Sequence, residues 1–496
     1  MKARLIRFAF ALHRWMGVTL GVLMLMWCLS GFVMIFAPYP ATSRGGHDLR
    51  VEGLAPIILP ETVRLPAAAA FPPDARLASA RIEMMGKEAV LRMGGAGVAG
   101  VFSLSTGEAI KTISADDALA VATTYAERHG IAARPEISKL SKRDEFTVAG
   151  YFNSARPFWQ VRLNDPARTM LYVSSRSGEI RQLTTRQDRV LSWLGAIPHW
   201  LYFTTLRQDA KLWNQVVIWA SLAGCFLTLL GLFVGVRQLR RRHSTGKLAS
   251  PYRGVKTWHH LLGLVFGVLV LSWTFSGFTS MQPWGWFETG QAASEAAARY
   301  SGEGKRWSEA RNDLFAQIDA VRRLPSGAVL QVSSAAAGGA LYFVQTATDG
   351  SRLRLDADGA PAPFDAAQWA HAGDVLGGNT GPAKAERLTK EDDYYYKGAA
   401  ASAFPVVRIV VPAMQDTRFY LDSVSGQILS IADPGNRGFR WWHMAPHRLD
   451  FAWLRVGWLR QSLEIVLLVG VTAVCGAGAW MGLIKLRRGG RLDGRP

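Results

Sequence analysis

Three cysteines in 496 residues are too few for a disulfide scaffold. Cys28, Cys225 and Cys475 all fall inside apolar stretches, where a thiol serves as a small core residue. Charge is also scarce, at 19% of the chain, where globular proteins carry about a quarter. Signature motifs are missing as well. There is no C-x-x-C-H for covalent haem attachment, no Walker loop, no dinucleotide-binding glycine pattern followed by a fitting strand and helix, and no G-x-S-x-G. These absences argue against direct binding of NADH or flavin and against a serine-hydrolase mechanism. Disorder is excluded from the other side: 49% of the residues are hydrophobic and 18 are Trp.

The hydrophobic residues are concentrated in four stretches that lack charge for about 20 residues or more, long enough to cross a bilayer. They run over Trp15–Ala37, Leu212–Val236, Leu261–Gln282 and Ile465–Ile484. The net charge of +19 sorts against them. Lys2, Arg4, Arg7 and Arg14 precede the first; Arg237, Arg240, Arg241, Arg242, Lys247, Arg253 and Lys256 separate the second from the third; Lys485, Arg487, Arg488, Arg491 and Arg495 follow the fourth, with Asp493 the one acid among them. The positive-inside bias places these three segments in the cytoplasm, and juxtamembrane charge facing anionic lipid accounts for the basicity without a nucleic-acid partner. The first stretch is longer than a signal-peptide core and no small-x-small cleavage site follows it, so it is expected to remain as an anchor.

A topology follows: span 1 over 1–38, an outside domain over 39–195, a histidine-bearing edge and span 2 over 196–237, and a basic cytoplasmic loop over 238–257. Then come span 3 over 258–283, a second outside domain over 284–440, a second histidine-bearing edge and span 4 over 441–486, and a basic tail over 487–496. Both termini are cytoplasmic, and the composition makes the outside a bacterial periplasm. The expected class is an α-helical integral membrane protein with four spans in two parallel repeats, plus two α+β periplasmic domains.

The repeat is visible in the residues. At an offset of 246, His13, Gly17, Gly21, Trp27 and Ser30-Gly31-Phe32 match His259, Gly263, Gly267, Trp273 and Ser276-Gly277-Phe278. At 248, Pro198-His199, Leu201, Phe203 and Leu206-Arg207 match Pro446-His447, Leu449, Phe451 and Leu454-Arg455. Tyr172 and Ser177-Gly178-Glu179-Ile180 likewise match Tyr420 and Ser425-Gly426-Gln427-Ile428. Two halves running in the same direction imply a pseudo-twofold axis along the membrane normal. Within the outside domains, 115–130 has helical spacing with Ser114 or Asp116 as cap, and 158–163, 170–174, 406–412 and 418–421 read as strands. The glycine of each Ser-Gly-x-Ile step is expected to supply a positive φ.

Ten histidines can be weighed individually. His13 and His259 occupy matched positions at the cytoplasmic ends of spans 1 and 3; His199 and His447 occupy matched positions outside spans 2 and 4. Coordinating side chains at membrane depth mark function. Two matched pairs at opposite depths suggest two bis-histidine sites. Zinc would need four ligands, and only two occur at each level. A non-covalent b-type haem, held on both faces and suited to electron transfer, meets the pattern. Gly17, Gly21, Gly263 and Gly267 are expected to let the macrocycle approach the backbone. His260 is the rival of His259, although it aligns with Arg14; His443 is the rival of His447, although it aligns with Gly195. His47, His129, His243 and His371 have no matched partner. Trp284 and Trp286 could face a substrate but also suit the bilayer interface, and Tyr394-Tyr395-Tyr396 could stack on a flat ligand or pack internally. Glu464, at the start of span 4, is the one acid placed to serve a quinol.

The Leu12-His13-x3-Gly17 and Ser30-Gly31-Phe32 features, with the S-G-x-I turns of Phe158–Leu183 and Phe404–Ile431, resemble the PepSY-associated transmembrane family over most of the chain. Within it, the resemblance is to the inner-membrane ferric-siderophore reductases of Gram-negative bacteria, ferrioxamine-type enzymes among them. That resemblance implies an oxidoreductase with two haem b groups, taking electrons from a cytoplasmic or quinol donor and passing them to periplasmic ferric siderophore. Two other classes stay open: a quinol-linked respiratory cytochrome b, and a non-redox binding or scaffold protein of an iron-uptake system.

Overall fold

The computed structural model describes residues 2–40, 43–44, 47–132, 134–241, 248–378, 383–396 and 404–487. His243 of the basic loop lies outside the described residues. The chain forms two compact units: Met1–Tyr39, Asp188–Trp286 and Gly438–Pro496 make the first, and Pro40–Gln187 and Phe287–Arg437 the second.

The first unit is built on the four apolar stretches, each of which is a helix long and apolar enough to cross a membrane. The helices are Lys2–Phe36, Ala210–Gln238, Val255–Ser280 and Gly457–Arg487; all begin before the charge-free stretch that marks them, and the second and fourth also end beyond it. They pack as a ring in which the first touches the fourth, the fourth the third, the third the second and the second the first. Spans 1 and 3 therefore face each other across the ring. Small residues allow the close approach, as expected where helices meet without a hydrophobic driving force between them. A Cβ on Gly21 would stand 3.3 Å from the Ala479 backbone, and one on Gly482 3.3 Å from Val18 Cα. The other diagonal half uses the same device, Gly267 against Leu232 and Gly235 against Leu264. Met24, Cys28, Val270, Leu468, Val471 and Cys475 fill the middle of the ring, flanked by Trp27, Phe266 and Trp273. All three cysteines are buried and free.

Short helices carry the remaining histidines. Ala196–Trp200 holds His199, and Ala445–Arg448 holds His447. Each ends on a leucine in the left-handed region, Leu201 at φ 53° and Leu449 at φ 45°, an expensive conformation for a bulky residue and one adopted at the same place in both halves. A wide turn over Arg440–Met444 leads into the second of these helices.

Among the described residues, the second unit contains three antiparallel sheets of four or more strands, besides a two-stranded one over Ser43–Arg44 and His47–Asp48. Strands β1 (Arg76–Met85), β2 (Glu88–Ala96) and β3 (Gly100–Ser103) come from the segment after span 1. They continue a sheet with β8 (Lys305–Arg306), β9 (Val329–Ala337), β10 (Ala340–Ala347) and β11 (Arg352–Leu355) from the segment after span 3. The order is β11-β10-β9-β1-β2-β3, with β8 on β1. The segments 39–195 and 284–440, expected as two domains, thus share a seven-stranded sheet inside one unit. Each also builds its own four-stranded sheet: β4 (Glu136–Ser141), β5 (Phe158–Arg162), β6 (Met170–Ser174) and β7 (Ile180–Thr184), then β12 (Lys384–Leu388), β13 (Val406–Val411), β14 (Thr417–Asp422) and β15 (Ile428–Ala432).

A helix covers the first of these sheets. Ala115–Arg128 starts at Ser114, whose hydroxyl accepts from Asp117 N while the Asp117 carboxylate accepts in return, a capping box; Ser114 rather than Asp116 is the cap. Its Ala118, Val121, Ala122 and Tyr125 face Val161, Leu171, Val173 and Ile180. On the second sheet, Ala293, Ala296, Tyr300, Ala372 and Leu376 from two helices face Val407, Ile409, Phe419 and Leu421. Charge ties the small sheets to the shared one. Arg81 and Arg92 reach Glu179 and the Ser177 carbonyl of the first S-G-x-I turn, and Arg352 pairs with Asp422 at 2.8 Å beside the second. Burial opposes ionisation of Glu179, but Arg81 and Arg92 outweigh it and hold its carboxyl at about 2. Tyr395 and Tyr396 are 0% and 2% exposed, and Tyr395 stacks on Tyr420 at 5.0 Å, so these members of the tyrosine run are packing residues.

Gly178 and Gly426 have φ of +70° and +72°, as their turns require, and neither has room for a Cβ, which would strike Met85 and Phe364. Gly178→Ala and Gly426→Ala are expected to cost about 2 kcal/mol or more each, combining left-handed strain with overpacking. Gly130→Ala, also at positive φ but facing open space, is expected to cost about 1 kcal/mol. Thermal unfolding of the three variants checks the order. Because the folded-state pKa of Glu179 is depressed, its contribution is complete above the ordinary carboxylate range and is lost as pH falls towards about 2. Glu179→Gln should flatten that part of the stability–pH curve.

Candidate functional site

Span 1 presents His13 and span 3 presents His259 near their N-terminal ends, and the ring architecture turns them towards each other. Their ring centroids are 6.3 Å apart, with planes inclined by 32°. At the other end of the same unit, His199 and His447 have ring centroids 6.1 Å apart and an interplanar angle of 67°. All four are half-buried.

Each imidazole is held through Nδ1. His13 Nδ1 lies 3.2 Å from Leu227 O of span 2, and His259 Nδ1 lies 3.1 Å from Val474 O of span 4. A helix carbonyl is already engaged by the amide four residues on, and a side chain there normally crowds it. In both spans that fourth residue is glycine: a Cβ on Gly231 would come within 2.7 Å of His13 Cε1, and one on Gly478 within 3.1 Å of His259 Cε1. The glycines open the carbonyl to a second donor and the histidine ring lies in the gap.

The other pair uses serine. Ser30 Oγ donates to Met26 O at 2.7 Å and stands 3.0 Å from His199 Nδ1, which also approaches Trp27 O at 3.1 Å. Ser276 Oγ donates to Trp273 O at 3.0 Å and stands 2.9 Å from His447 Nδ1. With its own proton directed at a backbone carbonyl, each hydroxyl accepts from the ring N–H. In all four histidines Nδ1 therefore carries the proton and Nε2 is the unprotonated, ligand-competent atom. Desolvation keeps the rings of His199 and His447 neutral: it holds His199 down at about 4 and pushes His447 well below its ordinary value, with repulsion from His443 and His199 added.

The rivals separate. His260 is 7% exposed, and both of its nitrogens are committed, Nδ1 to Ser250 Oγ and Nε2 to Gly235 O, each at 2.8 Å. It clamps the segment before span 3 to the end of span 2 and has no nitrogen left for a metal. His443 is tethered through Nδ1 to Ser276 O at 2.8 Å, and its ring lies 5.1 Å from that of His447, beside the facing pair. Of the four glycines expected along a macrocycle, Gly21 and Gly267 instead make the close helix contacts described above. That corrects their assignment, since neighbouring spans occupy the space a Cβ would take. Gly17 has nothing within 4 Å of a Cβ position and Gly263 only Val474 at 4.0 Å, so these two do face free space. Gly231 and Gly478 escaped the sequence reading because an offset of 247, between the two used to align the halves, relates them.

The arrangement can be tested against haem. With a metal–nitrogen bond of about 2.1 Å and a nitrogen about 1 Å from its ring centroid, two imidazoles on opposite faces of one metal have centroids about 6 Å apart. Both pairs meet that spacing, with Nε2 unclaimed. Among the described residues no group of three or more His, Cys, Asp or Glu is placed to hold a metal ion, so a two-ligand site suits these residues better than a bare cation.

The fold and these pairs define a membrane protein with four spanning helices and an α+β unit. The chain belongs to the PepSY-associated transmembrane family, whose model, a PepSY-associated TM region, matches residues 10–485. No curated protein matches the chain.

Gly231→Ala should displace the His13 ring and leave the second pair intact. His260→Ala, which removes the clamp between Ser250 and Gly235 O, should lower thermal stability.

Proposed function

We propose that the protein is a di-haem b electron-transfer protein of the bacterial inner membrane that reduces a periplasmic ferric siderophore and so releases ferrous iron. The observation that carries this reading is the occurrence, at both ends of one helix ring, of two facing imidazoles at 6.3 and 6.1 Å with Nδ1 tied and Nε2 free. His13 and His259 would hold one haem, and His199 and His447 the other. When bound, haem supplies a one-electron carrier whose closed coordination favours electron transfer over oxygen chemistry.

The chain's own residues supply the rest. Leu227 O, Val474 O, Ser30 and Ser276 set the ring orientations and raise ligand basicity. The apolar centre of the ring, with Trp27, Phe266 and Trp273, keeps water from the space between the two levels. Ferrous iron binds hard oxygen chelators more weakly than ferric iron, so one-electron reduction releases the metal. In this reading the basic segments lie in the cytoplasm, both termini are cytoplasmic, the α+β unit is periplasmic and the two halves are parallel repeats about an axis along the membrane normal. The donor is a cytoplasmic reductant or a quinol acting at the His13–His259 end.

A quinol-linked respiratory cytochrome is the second reading. It draws on His443, an imidazole beside His447, rather than on Glu464, which lies 3.7 Å from Arg460 on its own helix. A non-redox scaffold would leave four tethered imidazoles without a purpose.

The test is the visible spectrum of protein purified in mild detergent, oxidised and then reduced with dithionite. Sharp low-spin b-type bands at about two haems per chain are expected, with re-oxidation by ferric siderophore. Alanine at His13 or His259 should remove one haem and alanine at His199 or His447 the other, while His443→Ala keeps both. Colourless protein from haem-sufficient cells would overturn the reading.

A further inference from the structure

The two halves hold their imidazoles in the same way, so differences between them around the second pair are not needed for holding the rings. These differences are concentrated on one short segment. Where the first half has Ser192, Leu194, Gly195, Trp200 and Tyr202, the second has Arg440, Trp442, His443, Arg448 and Asp450. The backbone differs as well. Gly195 sits tightly on span 1, a Cβ there meeting Val33 at 3.0 Å, whereas His443 rides on the wide turn Arg440–Met444 and is pinned to Ser276 O. Single wide turns within helices are frequent at functional sites.

The segment presents aromatic surface and positive charge. Trp442 is 56% exposed, and its ring packs 6.0 Å from Phe275. Beneath it, buried Phe278 packs on Phe275 and on Trp284 and Trp286, which are 67% and 53% exposed and 5.3 Å from each other. An interfacial tryptophan belt would act on both halves alike, yet Trp284 and Trp286 correspond to Pro38 and Pro40. In the first half Trp193, the match of Trp441, is 48% exposed, but the other aromatic residues of the segment pack on one another. Trp200, Tyr202 and Trp213 pack in sequence at 5.2 and 5.5 Å, and Arg207 lies over the last two.

The positive charge of Arg448 acts on Glu464. Asp450 accepts from Arg455 at 3.1 Å and lies 3.7 Å from Arg440, which occupies the one acid of the segment. Arg448 is exposed and follows His447 directly.

We propose that this face of the second half, centred on Trp442 and Arg448 with Trp284 beside it, docks the ferric chelate, and that it selects anionic, aromatic chelates of the catecholate type over neutral hydroxamates. The proposal rests on the ferric-siderophore reading and names the substrate class for it. Exposed indoles stack on catechol rings, and a guanidinium faces the negative charge of a tris-catecholate ferric complex. A neutral trihydroxamate complex offers neither feature.

The test uses the full-length protein in lipid nanodiscs and redox-inert gallium(III) complexes of a tris-catecholate and of a trihydroxamate. Binding is read from tryptophan fluorescence, and the visible spectrum is recorded in parallel. The catecholate complex should bind more tightly, and Arg448→Gln and Trp442→Ala should each weaken it by about tenfold. Neither substitution should change haem content or the absorption bands. Trp193→Ala, which matches Trp441 and stands next to Leu194, the first-half counterpart of Trp442, should leave binding unchanged. Equal or tighter binding of the trihydroxamate, or catecholate binding unaffected by both substitutions, overturns the proposal while the haem reading stands. Absence of haem bands in the unsubstituted protein overturns the electron-transfer reading itself, and the gallium titration still decides whether the face binds a chelate.

Discussion

The membrane unit depends on one interaction repeated four times: an imidazole Nδ1 held by an oxygen of a neighbouring element. Without it a histidine between helices could rotate and present either nitrogen, and two facing rings would not share a geometry. With it, each ring has one tautomer and one orientation, with Nε2 left unprotonated. Two solutions are used. At one end the acceptor is a helix carbonyl exposed by the glycine four residues later, Gly231 or Gly478. At the other it is the hydroxyl of Ser30 or Ser276, itself oriented by donating to its own helix.

These tethers depend in turn on how closely the spans pack. The carbonyls of Leu227 and Val474 reach His13 and His259 only because spans 1 and 2, and 3 and 4, are neighbours in the ring. Gly21, Gly482, Gly235 and Gly267 set the remaining approaches. Apolar side chains gain little by leaving lipid for one another, so contact between small residues and tethering hydrogen bonds do the organising here. In the other unit the hydrophobic effect dominates, with helices on sheets and continuous apolar clusters, and ion pairs at the S-G-x-I turns join the smaller sheets to the shared one.

Much of this was legible in the residues, for definite reasons. Long uncharged stretches have one stable outcome, so the four helices could be located, and strands 158–162 and 406–411 show in their β-branched and aromatic content. Gly178 and Gly426 could be assigned positive φ because the turn signal is local. Other features were not legible. His260 stands next to His259, and nothing local says which one faces the ring interior; only the positions of Ser250 and Gly235 O show that His260 is fully engaged. The four glycines near the first and third spans look alike in sequence. They separate only when Ala479 and Leu232 arrive against two of them from distant helices.

The sequence alone determined the spans, the S-G-x-I turns and the four matched histidines, because apolar length, turn chemistry and internal repetition are properties of short stretches or of their comparison. The tertiary structure decided which histidines face each other, which atoms hold them and which glycines serve packing rather than open space. It also decided that segments on either side of two spans share one seven-stranded sheet. Those outcomes depend on oxygen atoms and side chains of other elements, from Ser250 and Gly235 beside His260 to Val474 beside His259, and a residue carries no local record of what will be packed against it.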